Sequence, residues 1–173
     1  KLMNLYRFDN LKETDLFWDY QNIYSFVGVM PVRSIFLMVA EEFYKNGESD
    51  KVKELLDRCI EVMPNENFPY NISILGSTNE YVMLDIIDLY LKIGEKEKAI
   101  EILDIFIRET LEGINFFGTP SAITGDGYVS RLDYQHNLMY LTYAQSILEE
   151  NGETEIAKAI EDFISNNGKW LEK

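Results

Sequence analysis

"LKIGEKEKAIEILD", Leu91 to Asp104, repeats much of "YKNGESDKVKELLD", Tyr44 to Asp57. Seven of the fourteen positions are identical: Lys45/Lys92, Gly47/Gly94, Glu48/Glu95, Lys51/Lys98, Glu54/Glu101, Leu56/Leu103 and Asp57/Asp104. Upstream of each glycine runs an apolar stripe at helical spacing: Phe36, Val39, Ala40 and Phe43, then Met83, Ile86, Ile87 and Tyr90. Downstream runs another: Val52, Leu55, Leu56, Cys59 and Ile60, then Ala99, Ile102, Leu103, Phe106 and Ile107. Each copy therefore reads as helix, tight glycine turn, helix. Glycine suits the left-handed backbone that ends a helix sharply. The acids that follow it (Glu48 and Asp50, Glu95 and Glu97) suit the positive start of the next helix.

A third copy is "LEENGETEIAKAIEDF", Leu148 to Phe163, with Gly152 at the turn and Ala157 at the position of Ala99. Its upstream helix carries Leu138, Leu141, Ala144 and Leu148. The glycines are 47 and then 58 residues apart. Tyr81 to Ile93 is apolar nearly all round, apart from Asp85, Asp88 and Lys92. Such a helix is expected at the centre, covered on both sides.

These features resemble the tetratricopeptide repeat, a ~34-residue helix-turn-helix unit with a turn glycine, a small residue in the second helix and a terminal proline. The first copy has Phe43, Gly47, the small Cys59 and then Pro64. The second keeps Tyr90, Gly94 and Ala99 but has Phe106 at the position of Cys59 and no proline. The third puts Glu161 where Leu56 and Leu103 sit, as suits a terminal unit with a solvent face. The expected fold is all-α, a tetratricopeptide-like α-α superhelix of about three units with insertions. The expected division is one domain, 1–173, with repeat units at 32–64, 80–111 and 138–168. Residues 1–31 form an N-terminal extension, in which Thr14 or Asp15 is expected to cap a short helix through Tyr24. Residues 65–79 and 112–128 are insertions, and their aromatic and apolar content favours packed loops.

Composition narrows the function. Hydrophobic residues make up 46% of the 173, enough for a folded core. A net charge of -14 opposes nucleic-acid binding, which depends on basic neutralisation of phosphate, and it opposes an anionic membrane surface. No stretch approaches the ~20 apolar residues of a membrane helix, and no signal peptide is visible. The chain begins at Lys1 without Met and reads as an excised piece.

"LYRFDN" near the start, "LLDRCIEVMPNENFPYN" (Leu55 to Asn71) and the second glycine-turn repeat resemble an uncharacterised bacterial membrane-protein family. Its N-terminal region is similar to protein O-mannosyltransferases, which use lipid-linked sugars, and a tetratricopeptide-like region follows at the C-terminus. The resemblance implies that this chain is that C-terminal domain. It would not be an enzyme itself, because the glycosyltransferase chemistry would lie in the membrane region upstream. It implies a membrane-associated protein with this domain on the extracytoplasmic (periplasmic) side, and a protein or peptide partner or a glycan acceptor.

Individual chemical candidates are sparse. Cys59 lies on an apolar helix face, where a free cysteine behaves as a small core hydrophobe. His136 is the single histidine, so a structural zinc site is not expected. Acidic pairs such as Asp85/Asp88, Glu41/Glu42 and Glu149/Glu150 arise readily among thirty acids, and a glycosidase would need two of them across a cleft. "TGDGY", Thr124 to Tyr128, has neither the Lys-Ser/Thr of a phosphate loop nor the alternating acids of an EF-hand. It reads as a turn. No cofactor, metal or catalytic residue is expected. Trp18, Tyr20, Phe116, Phe117, Tyr128, Tyr134 and Tyr140 are the candidate lining of a concave ligand groove, with core packing as the competing reading. The function expected is a protein-interaction or acceptor-positioning domain. A carbohydrate-binding module using exposed aromatics is the alternative, and an independent hydrolase comes after that.

Overall fold

The computed structural model describes residue 11 and residues 31–71, 79–118 and 127–167, and side chains within those ranges except at 79–80, 127–132 and 167. The described residues form six helices and no strand. They are α1 (Pro31–Lys45), α2 (Ser49–Val62), α3 (Asn79–Lys92), α4 (Lys96–Phe117), α5 (Gly127–Glu150) and α6 (Thr154–Asn167). They run as three helix–glycine–helix pairs, and the all-α expectation is met.

The three turns are built alike. Gly47, Gly94 and Gly152 have φ of 75°, 87° and 83°. The residue after each glycine donates its N–H to a carbonyl five residues back: Glu48 to Phe43 (3.0 Å), Glu95 to Tyr90 (2.9 Å) and Glu153 to Leu148 (2.8 Å). Each glycine N–H goes back three residues, to Tyr44, Leu91 and Glu149. This pair of bonds satisfies the last carbonyls of the first helix and reverses the chain within two residues. The repeated sentence in the sequence is thus a repeated backbone device.

Helix extents depart from the expected repeat limits. α4 runs on to Phe117, so residues 112–117 of the second insertion are helical, and α5 begins at Gly127, eleven residues before the expected repeat. The chain divides into two compact units, one ending at Lys98 and the other starting at Ala99.

In the first unit α1 lies against α2, and α3 lies against both. Its core holds Phe36, Leu37, Ala40, Val52, Leu55, Leu56, Cys59 and Val62, with Met83, Leu84, Ile86, Ile87 and Tyr90 from α3. Phe68 and Tyr70 of the following loop are buried too; residues 72–78 of the expected insertion 65–79 lie outside the described residues.

In the second unit α5 packs on α6. α4 meets α5 antiparallel and closely: the Phe106 and Tyr140 rings lie edge-on at 6.4 Å, and Gly113 and Gly118 lie against Asn137 and Tyr134. A Cβ at Gly113 would lie 3.0 Å from the Asn137 amide oxygen, so a larger residue there would have to displace that side chain. The buried Asn137 amide is satisfied by donating to the Asp133 carbonyl at 2.7 Å, and the buried Thr110 hydroxyl by donating to Phe106 at 2.7 Å.

Candidate functional site

The expected aromatic groove is spread across different environments. Tyr134 and Tyr140 are buried core residues of α5, and burial holds the Tyr134 phenol above its ordinary pKa. Phe116 is 66% exposed and meets half-buried Phe117 edge-on at 5.1 Å. Trp18, Tyr20 and the Tyr128 side chain lie outside the described residues. His136 is half-buried and tilted against Tyr140 at 6.3 Å. Among the described residues no three His, Cys, Asp or Glu side chains come together in a way that could hold a metal ion.

Cys59 is fully buried, and desolvation pushes its thiol up to about 12, against the opposing pull of the Arg33 guanidinium. A thiol in that state is a poor nucleophile. The expectation of a core cysteine fits this setting.

Arg33 went unremarked in the sequence and is the largest fully buried side chain. It comes from the first turns of α1, on the stripe it shares with Phe36, Leu37 and Ala40. Its guanidinium donates to the carbonyls of Met63 (3.1 Å), Phe68 and Pro69 (3.3 Å) and lies over the Tyr70 ring at 5.2 Å. A planar fork suits several converging carbonyls and an aromatic face together. Asn65 accepts the Tyr70 N–H at 2.8 Å, and Asn67 donates to the Leu11 carbonyl at 2.8 Å. Arg33 thereby ties the end of α2 and the next loop to α1. The available signal was an arginine at core spacing on an otherwise apolar helix.

A second polar tie joins α2 to α3. The Tyr90 hydroxyl donates to Asp57 at 2.9 Å. Lys53 reaches Glu95 at 2.5 Å and Asp57 at 3.7 Å. The Glu95 bond is the main reason the Lys53 pKa is raised, with the Asp57 charge adding to it. Burial, reinforced by the Asp57 charge, raises the Tyr90 phenol.

The exposed apolar surface gathers on α1. Ile35 is 47% and Met38 67% exposed, and Tyr44 near the helix end is exposed as well. Beyond α1, the first glycine turn opens onto a depression of about 350 Å³ lined by Gly47, Glu48, Ser49, Asp50 and Lys51. Lys51 bonds Glu48 there and sits over the Phe43 ring at 4.9 Å. An apolar helix strip that ends in an acidic, open turn can hold an amphipathic segment.

Comparison with protein-family models, curated proteins and solved structures gave no match. No helix among the described residues is long and apolar enough to cross a membrane.

Proposed function

We propose that this chain is a non-catalytic protein-interaction or acceptor-positioning domain, built as a tetratricopeptide-like superhelix. It is the tail of a membrane glycosyltransferase-like protein and lies on the extracytoplasmic side. The observation that carries the interaction reading is the recurrence of one helix–glycine–helix device with an apolar strip left open on α1. Stacked hairpins present extended surfaces that suit partner binding. The family resemblance supports the membrane attachment and its side.

A photo-crosslinking residue placed at Ile35, Met38, Phe116 or Met139 in the natural protein, in cells, tests the function. These four side chains are exposed. Adducts with another polypeptide are expected at a discrete subset, and no adduct at any of them overturns the reading. Protease added to intact spheroplasts tests the location: digestion of this domain is expected, and protection sinks the placement.

The exposed Phe116 favours a second reading, glycan binding by stacking. Oligosaccharide titration followed by NMR, with loss of shifts in Phe116→Ala, would support it. An unperturbed spectrum would dismiss it.

A further inference from the structure

Aligning the first two copies on Gly47 and Gly94 pairs α1 with α3 residue by residue. Phe36, Leu37 and Ala40 are buried, as are their counterparts Met83, Leu84 and Ile87. The neighbouring strip behaves differently. In α3 it holds Val82, Ile86, Leu89 and Tyr90, all buried. Its last member, Tyr90, reaches α2, because its hydroxyl bonds Asp57 of that helix. Glu95, just past the glycine, receives Lys53 of the same helix. In α1 the strip holds Ile35, Val39, Glu42 and Phe43: Ile35 and Glu42 are exposed, and Val39 and Phe43 are half-buried. Met38 adjoins it, exposed. Glu48, the counterpart of Glu95, lines the open depression at Gly47–Lys51.

We propose that this strip and turn dock an amphipathic helix of a partner protein, one with an apolar stripe and a lysine near its start, placed on α1 as α2 is placed on α3. The proposal rests on the interaction reading above and names its surface. Charge complementarity selects the lysine: the turn offers Glu48 and Asp50, Glu41 is exposed on α1 beside Glu42, which pairs with Lys45 at 3.7 Å, and the chain carries a net charge of -14. Lys51 now occupies Glu48 from within its own helix, and its Nζ would turn outward when the incoming lysine takes the carboxylate. In helix-in-groove recognition the incoming helix supplies the apolar anchors, at i, i+3, i+4 and i+7.

The probe is a synthetic peptide of the α2 sequence, Ser49 to Val62, held helical by a lactam across its exposed face and titrated into the full 173-residue chain. Saturable binding is expected. It weakens at least about tenfold in Met38→Asp or Ile35→Asp. It weakens likewise when the peptide carries Lys53→Glu, and it recovers when that peptide meets Glu48→Lys in the chain. Absence of saturable binding, or binding untouched by Met38→Asp, overturns the proposal.

Two further outcomes also overturn it by naming another occupant. Slow thiol labelling of Met38→Cys in the full chain would mean that its own residues cover the strip; buried Cys59 does not compete in that assay. Concentration-dependent self-association abolished by Met38→Asp would mean that a second copy does. Crosslinks in cells from Phe116 or Met139, with none from Ile35 or Met38, would preserve the interaction reading and sink this one.

Discussion

α1 and α3 occupy the same place in two copies of one motif, and they end in the same glycine turn. Yet α3 buries the strip Val82–Ile86–Leu89–Tyr90, and α1 leaves Ile35 and Met38 in water. The difference does not come from the turn, whose hydrogen bonds match within 0.1 Å (3.0 and 2.9 Å). It lies in the strips themselves, where α1 has Glu42 at the position of Leu89, and in the neighbours of α3, to which α2 supplies Asp57 and Lys53. The same turn therefore ends a covered core helix in one place and a helix with an open strip, carrying Glu42 where α3 has Leu89, in the other.

The sharpest way to break this comparison is to place the same charge on both strips. Val82→Asp is expected to cost more than about 3 kcal/mol in chemical denaturation, because an unpaired carboxylate would enter the core. A small effect would show that the strip is not covered as described.

Arg33→Met should cost about 3 kcal/mol, since the carbonyls of Met63, Phe68 and Pro69 would lose a charged donor inside the core. Arg33→Lys should recover little of this, because an ammonium cannot fork to converging carbonyls. Full recovery would reduce Arg33 to a simple point charge.

Cys59 gives a pH test of the covered interior. Its folded thiol stays protonated up to about 12, and the unfolded thiol ionises near 9.0. Below 9.0 both states hold the proton, so the thiol adds no pH dependence. Between those values the unfolded chain binds fewer protons, and stability falls as pH rises. Over that window the wild type should lose about 1.4 kcal/mol per pH unit more than Cys59→Ala. Parallel curves would contradict the burial.

Gly47→Ala, Gly94→Ala and Gly152→Ala should each cost about 1 kcal/mol. An added Cβ meets nothing within 4 Å at any of the three, so only the positive φ is penalised. Unequal losses would mean that the turns differ in ways the backbone does not reveal.

The smallest effect is expected at Ile35→Asp, within about 0.5 kcal/mol in the isolated chain. Paired with Val82→Asp, it measures the contrast between the two strips directly.

Much of this architecture was legible in order. Gly47, Gly94 and Gly152 marked the turns because a left-handed residue at a helix end is a local requirement. Ala99 and Ala157 marked buried positions in the second helices, and the apolar girth of Tyr81 to Ile93 marked the covered helix α3. Helix limits were less legible: α4 runs through Gly113, which lies close against Asn137, where local propensity favours an earlier end. Arg33 was missed because a basic residue reads as solvent-facing until the carbonyls that receive it are known. The aromatics misled in a similar way. Tyr134 and Tyr140 are amphipathic, so their type alone does not separate a core tyrosine from a groove tyrosine.

The sequence by itself determined the helices, the glycine corners and the stripes that must be buried, because each depends on residues a few positions apart. The tertiary structure decided which carbonyls Arg33 would hold and which acids Tyr90 and Lys53 would meet. Those outcomes depend on groups thirty or more residues apart, such as Arg33 with Met63 and Tyr90 with Asp57, and helical periodicity carries no record of them.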